Sequence, residues 1–287
     1  MEASVWAAGV RLAGGGQVRV MEPDDQPKVL ALVRADWLPG QPEPDPQLLT
    51  GQPRPGLTGA ATLVLTGIDS GDRVRGVVHC AVRTSDGVGL IGWLHAREDF
   101  EALAVLIAAA RANLGPARTL YAGTGPTQLP ETLTSALSGI AERRRPATTR
   151  ALCAAGFTPA TSRRYYHHAL TSTPTRPLFP LPEIRPLTDP PGVQLTLTET
   201  DGSPLATAVL HTSGGDHWQL WHLAVHAGHR RRGIGSHLLA QCLHLAHSRG
   251  ATSLAAHIDE DDTAAARLLT VGGFTEVDTL TIHHRRP

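Results

Sequence analysis

Two hydrophobic periods alternate along the chain. Runs of alternating or continuous apolar residues predict strands at VRVME (18–22), ATLVLTGI (61–68), RVRGVVHCAV (73–82), VGLIGWL (88–94), RTLYAGT (118–124) and RRYYHHAL (163–170). Between them, apolar residues at helical spacing predict helices from Pro23 to about Trp37, from Glu98 to Leu114, from Pro130 to about Arg145, and a short one leading to Gly156-Phe157. Residues 39–59, rich in Pro, Gly and Gln, read as a loop, and Asp24 and Asp25 suit the start of the first helix.

Residues 171–192 contain seven prolines and read as a semi-rigid linker. The same order then recurs. Strands are expected at VQLTLTET (193–200), PLATAVLHT (204–212) and HWQLWHLAV (217–225), followed by a basic glycine loop and a helix from Ser236 to about Ser248. Strand TSLAAHID (252–259), a helix over about Thr263–Val271, Gly272-Gly273-Phe274 and strand TLTIHH (279–284) complete it. A shift of 117 positions superposes Arg150 on Arg267, Leu152 on Leu269, Gly156 on Gly273, Phe157 on Phe274, Thr158 on Thr275 and His167 on His284. That agreement exceeds what composition predicts and indicates a tandem repeat of one α/β unit. The expected domains are 1–170, the linker 171–192, and 193–287.

Length and composition fit this plan. The 287 residues suit two domains, and 41% hydrophobic with 18% charged residues is an ordinary globular balance. Lys plus Arg and Asp plus Glu stand at 26 each, so no overall field steers the chain toward nucleic acid or anionic membrane. Lys28 is the only lysine, and the richness in Arg, Ala, Gly and Pro resembles GC-rich bacterial coding. The three cysteines, Cys80, Cys153 and Cys242, sit in apolar stretches and read as free thiols of a reducing compartment. With no basic n-region at the start and no apolar run of membrane length, a cytoplasmic location is expected.

The sharpest chemistry lies in Leu223-Ala224-Val225, His226 to His229, then Arg230-Arg231-Arg232-Gly233-Ile234-Gly235-Ser236, between a strand and a helix. Glycine lets backbone approach a ligand closely, and free amides at a helix start form an anion site. Three neighbouring arginines add donors for phosphate oxygens, so the segment reads as a pyrophosphate cradle. The dinucleotide spacing GxGxxG and a P-loop lysine are both missing, which argues against nicotinamide and ATP. The histidines on the following helix, His237 and His244 with Gln241 and Ser248, read as a solvated face, and no metal is expected.

The loop resembles the acyl-CoA signature of the GNAT superfamily of N-acetyltransferases: Arg230, Gly233 and Gly235 fill its Gln/Arg, Gly and Gly/Ala positions, and Leu223-Ala224-Val225 matches the strand before it. Asp262, Ala265, Leu268-Leu269 and Gly273-Phe274 resemble the family's later Asn-x-x-Ala, Leu-Tyr and Gly-Phe signature. The resemblance implies two tandem GNAT-like domains of the α/β (α+β) class, each a mostly antiparallel mixed sheet flanked by helices, similar to mycothiol synthase-like and antibiotic-modifying acetyltransferases. It implies acetyl-CoA or another acyl-CoA as co-substrate, bound by Leu223, Ala224, Val225, Arg230, Arg231, Arg232, Gly233, Ile234, Gly235, Ser236 and Asp262. It also implies a primary amine of a small molecule, at the domain junction, that attacks the thioester directly in a ternary complex. His222 is the candidate base, with His217, Asp216 and Glu199 as weaker ones. Leu269 replaces the tyrosine that often serves as general acid, and Tyr165 and Tyr166 are alternatives. The first half has His95-Ala96-Arg97-Glu98-Asp99 where its loop should be, and three carboxylates at residues 98–101 repel pyrophosphate, so it is expected to bind no CoA. Two other functions stay open: a transferase taking an aminoacyl group from charged tRNA, and a non-catalytic CoA-binding regulator.

Overall fold

Contacts divide the chain into two units, residues 1–37, 43–162 and 279–287 in unit 1, and residues 38–42 and 163–278 in unit 2. The computed structural model describes residues 10–11, 16–41, 56–67, 73–115, 119–123, 139–171, 180–188, 191–212 and 215–287. The first half of the chain gives β1 (Val10–Arg11), β2 (Gly16–Val20), α1 (Gln26–Ala35), β3 (Leu57–Gly67), β4 (Val74–Arg83), β5 (Gly89–His95), α2 (Phe100–Leu114), β6 (Leu120–Ala122), β7 (Ile140–Ala141), α3 (Pro146–Ala154) and β8 (Thr158–Ala169). The second gives β9 (Glu183–Thr188), β10 (Pro191–Thr198), β11 (Pro204–Thr212), β12 (His217–Val225), α4 (Ile234–Ser248), β13 (Ser253–Asp259), α5 (Thr263–Val271) and β14 (Thr275–Arg285).

Among the described residues of unit 1 the strand order is β1-β2-β3-β4-β5-β6, continued by the end of β14, and only β5 and β6 run parallel. The chain's last strand thus completes the sheet of the first repeat: His283 pairs with Ala122 of β6 and Leu280 with Ala141 of β7. Both faces are covered. Leu103, Leu106 and Ile107 of α2 pack with Leu152 of α3, Leu63, Ile91 and Phe157 on one side. Val29 and Val33 of α1 pack with Val64, Val77 and Trp93 on the other. Burial on both faces explains why β3 and β4 read as apolar runs rather than as alternation.

Unit 2 repeats the plan. Its order is β8-β13-β12-β11-β10-β9, again with a single parallel pair, β12 and β13. Helices α4 and α5 cover one face, where Leu238, Leu239, Cys242 and Leu269 meet Leu195, Ala208, Leu210, Leu220 and Leu254. Here the sequence alternates cleanly. Val193, Leu195 and Leu197 are buried while Gln194 and Thr196 between them are only partly so, as expected of strands packed chiefly on one face. On the opposite face Tyr165 donates to the carbonyl of Pro39 at 2.6 Å. Gly40, at φ 76°, lies so close to His167 that any Cβ would collide with it.

The repeat keeps its register where both copies are described. Helices α3 and α5, and the starts of β8 and β14, differ by the offset seen in the sequence, and Gly156 and Gly273 share a φ of 85°. Two local expectations need correction. Residues 139–145 form β7 and a turn rather than the end of a helix, because Ile140 and Ala141 pair with β14; the rest of that expected helix lies outside the described residues. Within the proline-rich stretch 171–192, Glu183–Thr188 is a strand, and its Pro186 is tolerated because β9 is the last strand of the order. Among the described residues no helix is long and apolar enough to cross a membrane.

Candidate functional site

In unit 2 the parallel ladder between β12 and β13 runs from His217↔Ser253 to Leu220↔Ala256 and stops. Beyond that point β12 continues to Val225 against β11, and β13 continues to Asp259 against β8. The strands therefore diverge, and the backbone of residues 221–225 is left without a ladder partner on the β13 side. A bulge causes the divergence. Leu210 faces Leu220 and Val209 faces His222, so Trp221 is an extra residue that bends β12 and breaks its phase. The slip is visible in the apolar positions: Trp218 and Leu220, then Leu223 and Val225.

After the bulge, Leu223 and Val225 turn toward the helices, where they pack against the core with Ile234 and Leu268. His222 and Ala224 are exposed on the opposite face. The chain then makes a short helical turn at Ala227–His229 and enters α4 through two left-handed residues, Arg231 at φ 59° and Gly233 at φ 80°. Among the described residues no side chain caps α4, and the helical bonding opens with His237 N donating to Gly233 O at 3.0 Å. The amides of Ile234, Gly235 and Ser236 are thus the open donors of a fifteen-residue helix. Arg231 and Arg232 are exposed beside them, whereas Arg230 is tied back, its Nε donating to Val225 O at 3.1 Å.

The corresponding region of unit 1 is closed. There β5 has the same bulge, Cys80 facing Ile91 and His79 facing Trp93, so Gly92 is the extra residue. The connection to α2 is only Ala96–Asp99, and Asp99 caps the helix by accepting from Ala102 N at 3.1 Å while paired with Arg75 at 2.8 Å. Glu98 instead takes the start of α3, accepting from Ala147 N at 2.6 Å and Thr148 N at 3.2 Å. Buried Arg145 lies 3.6 Å from both Asp36 and Glu98, and Asp36 bonds His95 at 2.7 Å. Burial holds the His95 pKa below its usual value despite that carboxylate. A depression of about 580 Å³ lined by Tyr121, Pro159 and His284 also belongs to unit 1 and shares no residue with the α4 turn.

Other expected residues lie as follows. Asp262 caps α5, accepting from Ala265 N at 2.9 Å. Leu269 is buried in the core, and Leu268 is the side chain bordering Gly235. Tyr166 donates to Glu276 at 3.0 Å, so both tyrosine hydroxyls of β8 are engaged. His217 contacts Ser253 at 2.7 Å at the opposite end of β12 from the turn, and Glu199 lies 3.4 Å from His229. The α4 stripe is not a solvated face: Gln241 is buried and His237 bonds Pro180 O at 2.8 Å.

Two residues where the strands diverge escaped the sequence reading. Trp221 is 57% exposed and its ring meets His211 edge-on at 6.0 Å. His257, the next position of β13 after the ladder ends, meets the ring of Tyr165 at a tilt of 48° and 5.1 Å, and its buried Nε2 has no hydrogen-bond partner among the described residues. Burial, with a smaller push from Arg163, lowers its pKa to about 4, so it is neutral at physiological pH. The phase slip signals the first; for the second only strand register could have done so.

Residues 160–274 match the family model described as acetyltransferase (GNAT) family. Among curated proteins none matches. The chain is similar to a crystal structure of a GCN5-related N-acetyltransferase from Sphaerobacter thermophilus, at 18% identity over 96% of this chain and 98% of that one, with a TM-score of 0.63. It is also similar to a tandem GNAT protein from the clavulanic acid biosynthesis pathway, at 16% identity over 94% and 98%, TM-score 0.63. A third likeness is to the glucosamine N-acetyltransferase region of a fungal multi-domain β-N-acetylglucosaminidase, at 14% identity over 95% of this chain and 38% of that one, TM-score 0.60. Residues 160–274 are thus similar to the acetyltransferase (GNAT) family, and the chain as a whole has the fold seen in tandem GNAT proteins.

Proposed function

We propose that the chain is an acyl-CoA-dependent N-acyltransferase, using acetyl-CoA and the primary amine of a small molecule, with both bound at once in unit 2. The observation that carries this reading is the conjunction of a β12–β13 ladder that opens midway with an uncapped α4 directly after it. The residues fit a diphosphate. Open amides at Ile234, Gly235 and Ser236 meet the positive end of the helix dipole, with Arg231 and Arg232 adjacent. Bound acyl-CoA supplies an activated carbonyl and a thiol leaving group. The chain's role is to hold the diphosphate at the turn and to offer the main chain of Leu223, Ala224 and Val225 to the pantetheine arm. A backbone amide there stabilises negative charge developing on the carbonyl oxygen. Arg230 keeps the turn in place through its bond to Val225, and Asp262 keeps α5 and Leu268 in place beside Gly235.

His222 is the group assigned to take the proton from the incoming ammonium, since it is exposed on the face away from the helices where the ladder opens. Direct transfer suits the unit's thiol content, because Cys242 is buried in the core and burial pushes its pKa up to about 12.

Isothermal titration of acetyl-CoA into the wild type and Gly235→Glu tests the donor site. The Cβ of a residue at 235 meets Leu268 and Val225 at an ordinary 3.5 Å, so alanine fits, while glutamate adds a carboxylate among the amides. Binding to the wild type and its loss in Gly235→Glu is the expected result. A wild type that ignores acetyl-CoA refutes the reading. Thiol release with an amine panel then tests transfer.

A further inference from the structure

The bulge in β12 also changes which way side chains point. Adjacent residues of a strand normally point to opposite faces. Here Trp221 touches His211, and His222 stands opposite Val209, so both side chains share the face away from α4 and α5. The indole is more than half exposed in the middle of a strand, yet it is held: His211 meets it at an interplanar angle of 80°. Such a ring is a fixed apolar plate beside the proposed acyl position. Its surroundings on β11 and β12 are Thr207, Val209, His211, Gln219, His222 and Ala224, with no carboxylate, guanidinium or ammonium among them; the charges this face carries stand on other strands and pair with each other, Glu183 with Arg185 and Arg163 with Asp259. In unit 1 the bulge position is Gly92, and the neighbouring Trp93 is buried under α1. The plate is therefore special to the repeat that keeps an open helix turn.

We propose that Trp221 determines acceptor specificity, and that the acceptor is a primary amine carried on a flat aromatic or apolar body that stacks on the indole. This deepens the reading above and rests on it for the reaction. A polycation needs facing carboxylates and a polyanion needs fixed cations; this patch offers neither, whereas a flat uncharged body gains from burial and from ring–ring contact. The amine then extends toward His222, the next residue.

The test pairs binding with turnover. Saturation-transfer NMR, in the presence and absence of CoA, uses tryptamine, spermidine and kanamycin as probes against the wild type, Trp221→Ala and Trp221→Phe. The expected result is transfer to the ring protons of tryptamine in the wild type, lost in Trp221→Ala and kept in Trp221→Phe, with unchanged melting temperatures. In turnover, tryptamine is preferred over both polyamines, and Trp221→Ala raises its KM by about tenfold with little change in kcat. The proposal is overturned if tryptamine shows no Trp221-dependent transfer, or if spermidine or kanamycin is the better substrate. Failure of acetyl-CoA titration alone would sink the donor reading instead, since the amine signal is read independently.

Discussion

Placing a carboxylate at the start of α4 should close the donor site without unfolding it, as Asp99 does for α2. The perturbation is Gly233→Asp. Nothing lies within 4 Å of a Cβ built at Gly233, so the cost to the fold is backbone strain at φ 80°. That strain is about 1 kcal/mol for a non-glycine residue, offset by about 0.3–1 kcal/mol from an acid at a helix N-terminus. The melting temperature should therefore move by about 4 °C or less. Binding responds differently. A carboxylate about 5 Å from a bound phosphate, at an effective dielectric of about 20, opposes it by about 3 kcal/mol, roughly a hundredfold in Kd. Gly233→Ala is the control, carrying the strain but leaving the amides open. Calorimetric titration of acetyl-CoA should rank wild type, Gly233→Ala and Gly233→Asp in falling affinity, the last gap shrinking as salt is raised. A folded Gly233→Asp that binds within about threefold of Gly233→Ala would refute the helix-terminus site, whatever the chain does with amines.

Three further outcomes are expected. His222→Ala should slow acetyl transfer and flatten its pH profile; an unchanged profile of kcat/KM against pH removes His222 from proton transfer. His257 has its pKa lowered from 6.5 to about 4, so the unfolded chain binds the extra proton between those values and stability falls as pH drops through that window. The effect reaches about 3 kcal/mol, and His257→Gln should melt with a shallower pH dependence between about 6.5 and 4; parallel curves would show that the site is not shielded. Removing residues 279–287 strips unit 1 of the strand that pairs with β6 and β7 and of buried Leu280, Thr281 and His283, so thermal denaturation should occur well below that of the full chain. A melting curve unchanged by the deletion would contradict the pairing.

Much of unit 2 was legible because its strands are buried chiefly on one face. Alternation marks β10, which begins two residues earlier than expected and ends two earlier, and the 204–212 and 217–225 strands match the sequence reading residue for residue. The strand-to-helix turn was equally legible from its glycines, although α4 begins at Ile234, after Gly233, rather than at Ser236. Three things were less visible. Strand β9 was hidden by its prolines, which local composition treats as linker and an edge strand accepts. The role of Arg230 as a tie to Val225 depends on a backbone turn that no pattern encodes. The pairing of the last strand with β6 and β7 depends on contacts far apart in sequence, on which periodicity is silent.

The repeats, compared with each other, form an internal control on which features matter. Both retain one parallel pair, a bulge on the strand before the helix, and the helix that follows it. A bulge by itself therefore cannot account for a site. What differs is what fills the space around it. In unit 1 an aspartate supplies the helix start, glutamate and arginine occupy the adjoining turn in a buried network, glycine stands at the bulge, and α1 seals the second face with Val29 and Val33. In unit 2 the helix start is left to glycine and solvent-facing arginines, and the bulge carries an exposed tryptophan whose neighbours on β11 and β12 are uncharged. Self-capping satisfies donors that a ligand would otherwise have to satisfy, so on the proposed reading unit 1 offers no open helix start to a diphosphate. Unit 2, by the same reasoning, is left with open amides and an uncovered ring, both unfavourable features for a region with no ligand to meet. Two such features adjoining one opened ladder are more simply explained by one donor and one acceptor than by separate accidents of folding.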